Sequence, residues 1–274
     1  MGSCANRHIK RCMMRPPISA CIITYNEEKN IEACLESIAW VDEIIVVDSL
    51  SSDRTVELCR KHTDRVYLKE WQGHVRQKNY ALQLARHEWV LCLDADERVS
   101  PELRREIEEC LATENRSADG YFFRRHSFYL GRWISHGGWY PDYKLRLFKK
   151  SKGRWGGKDP HDRVMLDGVG AYLQSDLLHY VYRNLSHQLQ TVDSFSSITA
   201  AGLDADGERF SPARLVLRPI FKFIGTYVIK RGFLDGLPGF IISVASSFYV
   251  FLRYAKLWEL QQRGEDGYSK RKRT

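Results

Sequence analysis

The sequence predicts an α/β fold: a mostly parallel twisted sheet with helices on both faces, followed by a C-terminal helical region suited to a membrane surface. Three observations predict it. Short apolar, β-branched runs alternate with helical patterns over the first 110 residues. Three of those runs end in polar residues, and an apolar, basic segment closes the chain. At 274 residues, with 43% hydrophobic and 28% charged residues, wholesale disorder, collagen and coiled coil are excluded.

The elements follow in order. Residues 1–16 read as an irregular leader, because Arg7, Lys10 and Arg11 run into Pro16 and Pro17 without the apolar core and cleavage site of a signal peptide. Residues 18–24 form a buried strand, the polar stretch 25–30 a turn, and 31–38 a helix with Ile31, Leu35 and Ile38 on one side. A second buried strand at 43–48 completes a βαβ unit. Asp53 is the expected N-cap for a helix over 54–61, with a weak strand at 64–68. A helix over 77–85 and a fourth strand at 89–93 then run into Asp94-Ala95-Asp96-Glu97. Ser100, Pro101 and Glu102 open another helix with a capping hydroxyl, a first-turn proline and an acid.

After Gly120 the texture becomes aromatic and basic, which suits short strands and loops lining a site. Residues 17–213 are read as one catalytic domain and 214–274 as a basic, amphipathic helical segment. Seven cysteines (Cys4, Cys12, Cys21, Cys34, Cys59, Cys92, Cys110) are odd in number and include no C-x-x-C pair. A disulfide scaffold or zinc ribbon is therefore not expected, and a reducing cytosol fits.

Net charge is +8, and all of the excess is at one end: residues 214–274 hold 12 basic against 4 acidic residues, whereas 1–213 are balanced at 30 each. From Gly236 to Leu252 no residue is charged, a stretch at the short limit for a membrane span. Residues 215–230 mix apolar side chains with Arg218, Lys222 and Lys230 and suit an in-plane amphipathic helix. Arg253, Lys256 and Arg263 would add attraction to anionic lipid. Monotopic attachment is the expectation, against buried helices of an ordinary domain or a dimer interface. Nucleic acid is not expected as a partner, because the basic residues are embedded in apolar sequence that would have to be exposed to reach phosphates.

Ligands of an open parallel sheet bind beyond the carboxyl ends of its strands. Those ends read Thr24-Tyr25-Asn26-Glu27, Asp48-Ser49 and Asp94-Ala95-Asp96. Neither G-x-G-x-x-G after the first strand nor G-x-x-x-x-G-K-[ST] occurs, which argues against a dinucleotide oxidoreductase or P-loop ATPase. The D-x-D spacing of Asp94 and Asp96 offers hard oxygen ligands suited to Mg²⁺ or Mn²⁺ bridging to a diphosphate. Most isolated pairs of this kind are solvated loop acids; the preceding apolar strand and the two other polar strand ends favour the metal reading.

Residues 22–28 (IITYNEE), 45–55 (IVVDSLSSDRT), 77–79 (QKN) and 93–97 (LDADE) together resemble the nucleotide-sugar half of a family-two inverting glycosyltransferase, whose fold is of the GT-A type. Residues 139–148 (WYPDYKLRLF), 160–164 (PHDRV) and 230–236 (KRGFLDG) are similar to the bacterial lipopolysaccharide inner-core β-1,4-glucosyltransferase branch. The resemblance implies that Thr24, Asn26, Glu27 and Asp48 hold the base and ribose of a uridine nucleotide, with Lys78 and Asn79 near the nucleotide or diphosphate. It implies that Asp94 faces the ribose and donor sugar and that Asp96 binds the metal. Each also has a plainer reading: Asn26 shapes a turn, Asp48 caps a loop, and Lys78 lies on a solvated helix face.

Inverting transfer needs a base for the acceptor hydroxyl, while the leaving diphosphate needs charge neutralisation rather than a proton. The candidate bases are Asp142, Asp159, His161 and Asp162. Asp142 is favoured because Leu145-Arg146-Leu147-Phe148 follows it at a spacing similar to that in related transferases, although Pro141-Asp142 stands where the family usually has Glu-Asp. Asp162 is the alternative base, and His161 beside it is a candidate third metal ligand or acceptor contact. Trp133, Trp139, Tyr140 and Trp155 are candidates for stacking on sugar rings. The implied reaction is hexose transfer from UDP-glucose to a heptose of the lipopolysaccharide inner core, at the cytoplasmic face of the bacterial inner membrane. The alternatives are transfer to polyprenyl-phosphate or another glycolipid, and a non-catalytic membrane-surface adaptor.

Overall fold

The computed structural model describes residues 15–113, 117–158 and 161–271, side chains excepted at 158, 161 and 263–271. Strands β1 (Ile18–Thr24), β2 (Glu43–Asp48), β3 (Val66–Leu68) and β4 (Trp89–Asp94) are parallel, in the spatial order β3-β2-β1-β4. They are joined by α1 (Ile31–Ser37), α2 (Thr55–Arg60) and α3 (His74–Leu84). Strand β1 is central, so both of its faces are covered and it reads as an unbroken apolar run. Ile18, Ala20 and Ile22 pack with Ile31, Leu35 and Leu58 on one side, while Cys21 packs with Ala81 and Leu82 of α3 on the other. Each fully buried isoleucine contributes about 1.5–3 kcal/mol of transfer free energy.

A short strand β5 (Glu97–Val99) follows β4, and α4 (Pro101–Ala112) begins as its sequence requires. The Ser100 hydroxyl accepts from the Leu103 N–H at 3.1 Å, and Pro101 stands in the first turn. At α2 the cap differs in detail: Asp53 Oδ1 accepts from the N–H of Thr55 at 3.0 Å, while Arg54 occupies the cap position.

The second half extends the sheet with antiparallel and parallel pairings. It adds β6 (Gly120–Tyr129), β7 (Arg132–Ile134), β8 (Asp142–Lys149) and β11 (Gly170–His179), so the order becomes β3-β2-β1-β4-β8-β6-β11-β5, with β7 on β6. Strands β4 and β8 pair antiparallel, as do β8 and β6, whereas β6 and β11 are parallel. Strands β6 and β11 are ten residues each, longer than the short strands expected there, because they span the interior of the sheet. Strands β9 (Gly153–Lys158) and β10 (His161–Leu166) form a separate hairpin.

Helices α5 (Leu185–Ala205), α6 (Pro212–Ile224) and α7 (Gly236–Arg271) close the chain, with a π-helical turn at Gly225–Ile229 and a 3₁₀ turn at Gly232–Asp235. Helix α7 packs against both α5 and α6. The entry into α7 is tight: a Cβ on Gly239 would lie 2.0 Å from the Gly232 carbonyl oxygen of the preceding 3₁₀ turn. A broad apolar surface remains uncovered on this helical region, with Phe221 66%, Ile229 74% and Leu237 69% exposed. Among the described residues, the stretch Gly232–Gln262 is the one long and apolar enough to cross a membrane by length and composition.

Candidate active site

Strand register brings the predicted polar ends together. Thr24 pairs with Asp48 and Ile23 with Asp94, so the ends of β1, β2 and β4 lie side by side at the spacing of neighbouring strands. Asp48 is fully buried; its carboxylate accepts from the Ser51 N–H at 2.8 Å and the Ser51 hydroxyl at 2.5 Å. Asn26 takes the left-handed conformation at φ 53°, which asparagine tolerates, and its Oδ1 accepts from the Ser52 N–H at 2.8 Å. Asn26 and Asp48 thus build the loop after β2 into a shelf. Glu27 accepts from the Asn30 amide at 2.8 Å, and burial raises its pKa. Two buried oxygens facing no partner among the described residues, Thr24 Oγ1 and Gln77 Oε1, are the kind of group a ligand satisfies.

Behind the shelf, four carboxylates alternate with four cations in one continuous network. Lys78 Nζ lies 2.8 Å from Asp162 and 2.8 Å from Asp94. The Arg146 guanidinium bridges Asp94 and Glu97, 2.6 Å from each. Arg125 reaches Glu97 at 3.5 Å and Asp142 at 2.6 Å, and Lys144 lies 3.0 Å from Asp142. The last pairing follows from register, since Arg125 on β6 stands directly opposite Asp142 on β8. Trp155 lies beneath the network, its ring 4.3 Å from Lys78 Nζ.

Burial alone would raise the Asp94 pKa, but Arg146 and Lys78 hold it well below the ordinary carboxylate range. Burial likewise opposes ionisation of Asp142, and Arg125 and Lys144 outweigh it, leaving that carboxyl lowered. Both are ionised at neutral pH. The two candidate bases differ in access: the Asp142 side chain is 31% exposed, whereas that of Asp162 is 11% exposed and bound to Lys78.

Asp96 stands outside this network. Its carboxylate lies 3.3 Å from His179 Nε2, at the end of β11, and His179 Nδ1 is 3.0 Å from the Ser127 hydroxyl. Among the described residues no group of three or more histidine, cysteine or acidic side chains gathers as a metal cage. A carboxylate and an imidazole fixed by a second hydrogen bond nevertheless fit a divalent cation that takes its remaining ligands from substrate phosphate and water.

Of the sequence-predicted residues, Lys78, Asp94, Asp142 and Asp162 share the ion network, and Thr24, Asn26, Glu27 and Asp48 stand at the strand ends. Asn79 does something else: its amide group exchanges two 3.0 Å hydrogen bonds with the Trp155 backbone, clamping α3 to β9. Asp159 and the His161 side chain lie outside the described residues. Trp155, 4% exposed, is a buried platform rather than a free stacking surface, whereas Trp139 and Tyr140 are half-buried. Sequence reading missed Glu97, Arg125 and His179. Glu97 was visible as an acid directly after the D-x-D, but Arg125 and His179 become site residues only through strand pairing.

Residues 19–168, more than half of the chain, match the family model described as Glycosyl transferase family 2. An uncharacterised glycosyltransferase of Rickettsia typhi is 34% identical over 254 residues, covering 89% of this chain and 87% of its own length. The lipopolysaccharide core biosynthesis glycosyltransferase LpsC of Rhizobium meliloti is 30% identical over 250 residues, covering 89% of this chain and 92% of its own. Among solved structures, the mannosyltransferase PcManGT of Pyrobaculum calidifontis, in complex with GDP-Man and Mn²⁺, superposes with a TM-score of 0.53 at 16% identity, over 89% of this chain and 87% of that one. That similarity is one of fold, of the GT-A type.

Proposed function

Since this chain belongs to glycosyl transferase family 2, we propose that it transfers a hexose with inversion from a uridine-diphosphate sugar, UDP-glucose being the favoured donor, to a heptose of the lipopolysaccharide inner core. The acceptor class is supported by the likeness to LpsC along most of both chains. The observation that carries the chemistry is the pairing of an accessible, ionised Asp142 with a cation-rich wall around Asp94 at the same sheet edge.

In this reading the shelf built by Asn26 and Asp48 receives the base and ribose, with Thr24 Oγ1 and Gln77 Oε1 gaining partners. Lys78 and Arg146 hold the Asp94 carboxylate as an acceptor for hydroxyls of the donor. Asp96 and His179 would hold the divalent cation, Mg²⁺ or Mn²⁺, which supplies charge neutralisation for the departing diphosphate. A carboxylate oxygen of Asp142 takes the proton of the acceptor hydroxyl as that oxygen attacks the anomeric carbon opposite the leaving group. Arg125 and Lys144 fix the direction of the carboxylate at the cost of basicity. The exposed apolar surface of α6 and α7 rests on the cytoplasmic leaflet of the inner membrane, where a glycolipid acceptor is presented.

UDP release is the deciding assay: a panel of nucleotide sugars, with and without Mn²⁺ and a truncated lipopolysaccharide acceptor. Acceptor-dependent release from UDP-glucose is expected. Release that needs polyprenyl-phosphate instead would move the acceptor, and no turnover with any donor would favour a non-catalytic adaptor.

A further inference from the structure

A cavity of about 400 Å³ lies between α5, α6, α7 and the loop before β8. Six of its lining residues matter: Trp139, Gln188, Thr191, Lys222, Tyr249 and Arg253. Its volume is in the range of small-molecule sites. Its walls are largely apolar and aromatic, yet two cations from different helices face into the same space.

Among the described residues no carboxylate pairs with Lys222 or Arg253. The Arg253 Nε is fully buried without a hydrogen-bond partner, and its guanidinium leans on the Tyr254 ring at 4.9 Å. Burial, together with Lys230 and Arg253, pushes the Lys222 ammonium down, as expected where positive charge is left uncompensated. Lys222 is exposed and Arg253 half-buried, whereas the buried cations Lys78 and Arg146 each sit against carboxylates. Two unmatched cations lining one cavity make a cradle for an anion, held by charge alone because the Thr191 hydroxyl donates to the His187 carbonyl and the Tyr249 hydroxyl pairs with Thr199.

The same helices carry the uncovered apolar surface around Phe221 and Ile220. An anion that reaches Lys222 from that surface is attached to something apolar. We propose that this cavity binds an anionic phospholipid of the bilayer, its phosphate between Lys222 and Arg253 and its acyl chains along α6 and α7. The proposal deepens the membrane-facing reading of these helices: the protein reads a specific headgroup rather than only a negative surface. Trp139 connects the cavity to the loop that leads into Asp142, so an occupied cavity would brace the acceptor side of the site.

The test uses the full chain and monomeric dihexanoyl-phosphatidylglycerol below its micelle threshold, followed by tryptophan fluorescence, with dihexanoyl-phosphatidylcholine and inorganic phosphate as the other arms. Saturable binding of the phosphatidylglycerol is expected. Lys222→Ala and Arg253→Gln should each weaken it by about tenfold or more, the loss of one charge-assisted contact. Arg218→Ala, which removes the same charge from an exposed position on α6, should leave it within about twofold. Equal binding of inorganic phosphate or phosphatidylcholine would overturn the proposal, as would an Arg218→Ala effect matching that of Lys222→Ala. Lys222 is exposed enough that its alanine variant folds, so it decides the matter alone if Arg253→Gln does not. No bilayer and no donor sugar are present, so failure of membrane attachment or of glycosyl transfer leaves the result readable.

Discussion

Asp235 reaches from the C-terminal helical unit to accept the backbone N–H of His136 at 2.7 Å, across nearly 100 residues of sequence. The same carboxylate, 1% exposed, accepts from the Ser135 N–H at 3.3 Å and lies 3.5 Å from Arg132. One buried acid therefore ties the C-terminal helices to the loop that enters β8 and Asp142. Asp235→Ala should cost about 3 kcal/mol by stranding those donors, a fall of about 6–12 °C in thermal midpoint. Asp235→Asn, which keeps one acceptor oxygen, should lose about half as much. Equal midpoints for all three proteins would dismiss the tether.

Asp96→Asn and His179→Ala are each expected to remove metal-stimulated UDP release by at least about 100-fold, the scale of losing one charge-stabilising group. Metal-free UDP binding, read by calorimetry, should change little. If His179→Ala responds to Mn²⁺ like the parent, the imidazole is structural.

Asp142→Asn should bind UDP-sugar normally while transfer drops by about 10²–10⁴-fold. Because Arg125 and Lys144 keep the carboxyl ionised below its usual range, the parent's rate should not fall between about pH 8 and 5 on account of this group. An Asp142→Asn enzyme that still transfers would shift the base to Asp162, with Asp162→Asn as the companion measurement.

Acid stability carries a second signature. Asp94 is depressed in the folded state relative to the unfolded chain, so its contribution is fully present above about pH 4 and is lost as pH falls through the lower folded value. Lys78→Met removes one of the two cations responsible and should flatten the acid limb of the thermal midpoint measured from about pH 6 to 2. Superimposable limbs would mean that Lys78 does not set that carboxylate's titration.

Replacing Phe221, Ile229 and Leu237 together by glutamine removes exposed apolar area without touching the cores between the helices. At about 1.5–3 kcal/mol for each side chain buried in lipid, membrane binding should fall by about 100-fold or more with the fold retained. Unchanged co-sedimentation with anionic vesicles would place attachment elsewhere on the molecule.

The alternating pattern of apolar runs and helices, the cap at Ser100, and the polar ends of β1, β2 and β4 were legible because each depends on residues close in sequence: periodicity, a hydroxyl before a helix, a run that stops. Asp94 could be named as a candidate for the same reason, from a strand end and a short motif, whereas Lys78 and Asp142 were named through the resemblance to the glycosyltransferase family. What the sequence could not say was how they are joined. Arg125 opposite Asp142, Glu97 beneath Arg146, and His179 beside Asp96 are set by register between strands distant in the chain, and a slip of one residue would turn each side chain to the other face. The unmatched Lys222 and Arg253, and the reach of Asp235 to His136, likewise exist only once α6 and α7 fold back on the sheet. Local chemistry chose the residues; long-range pairing decided which charges are neutralised and which are left to meet a ligand.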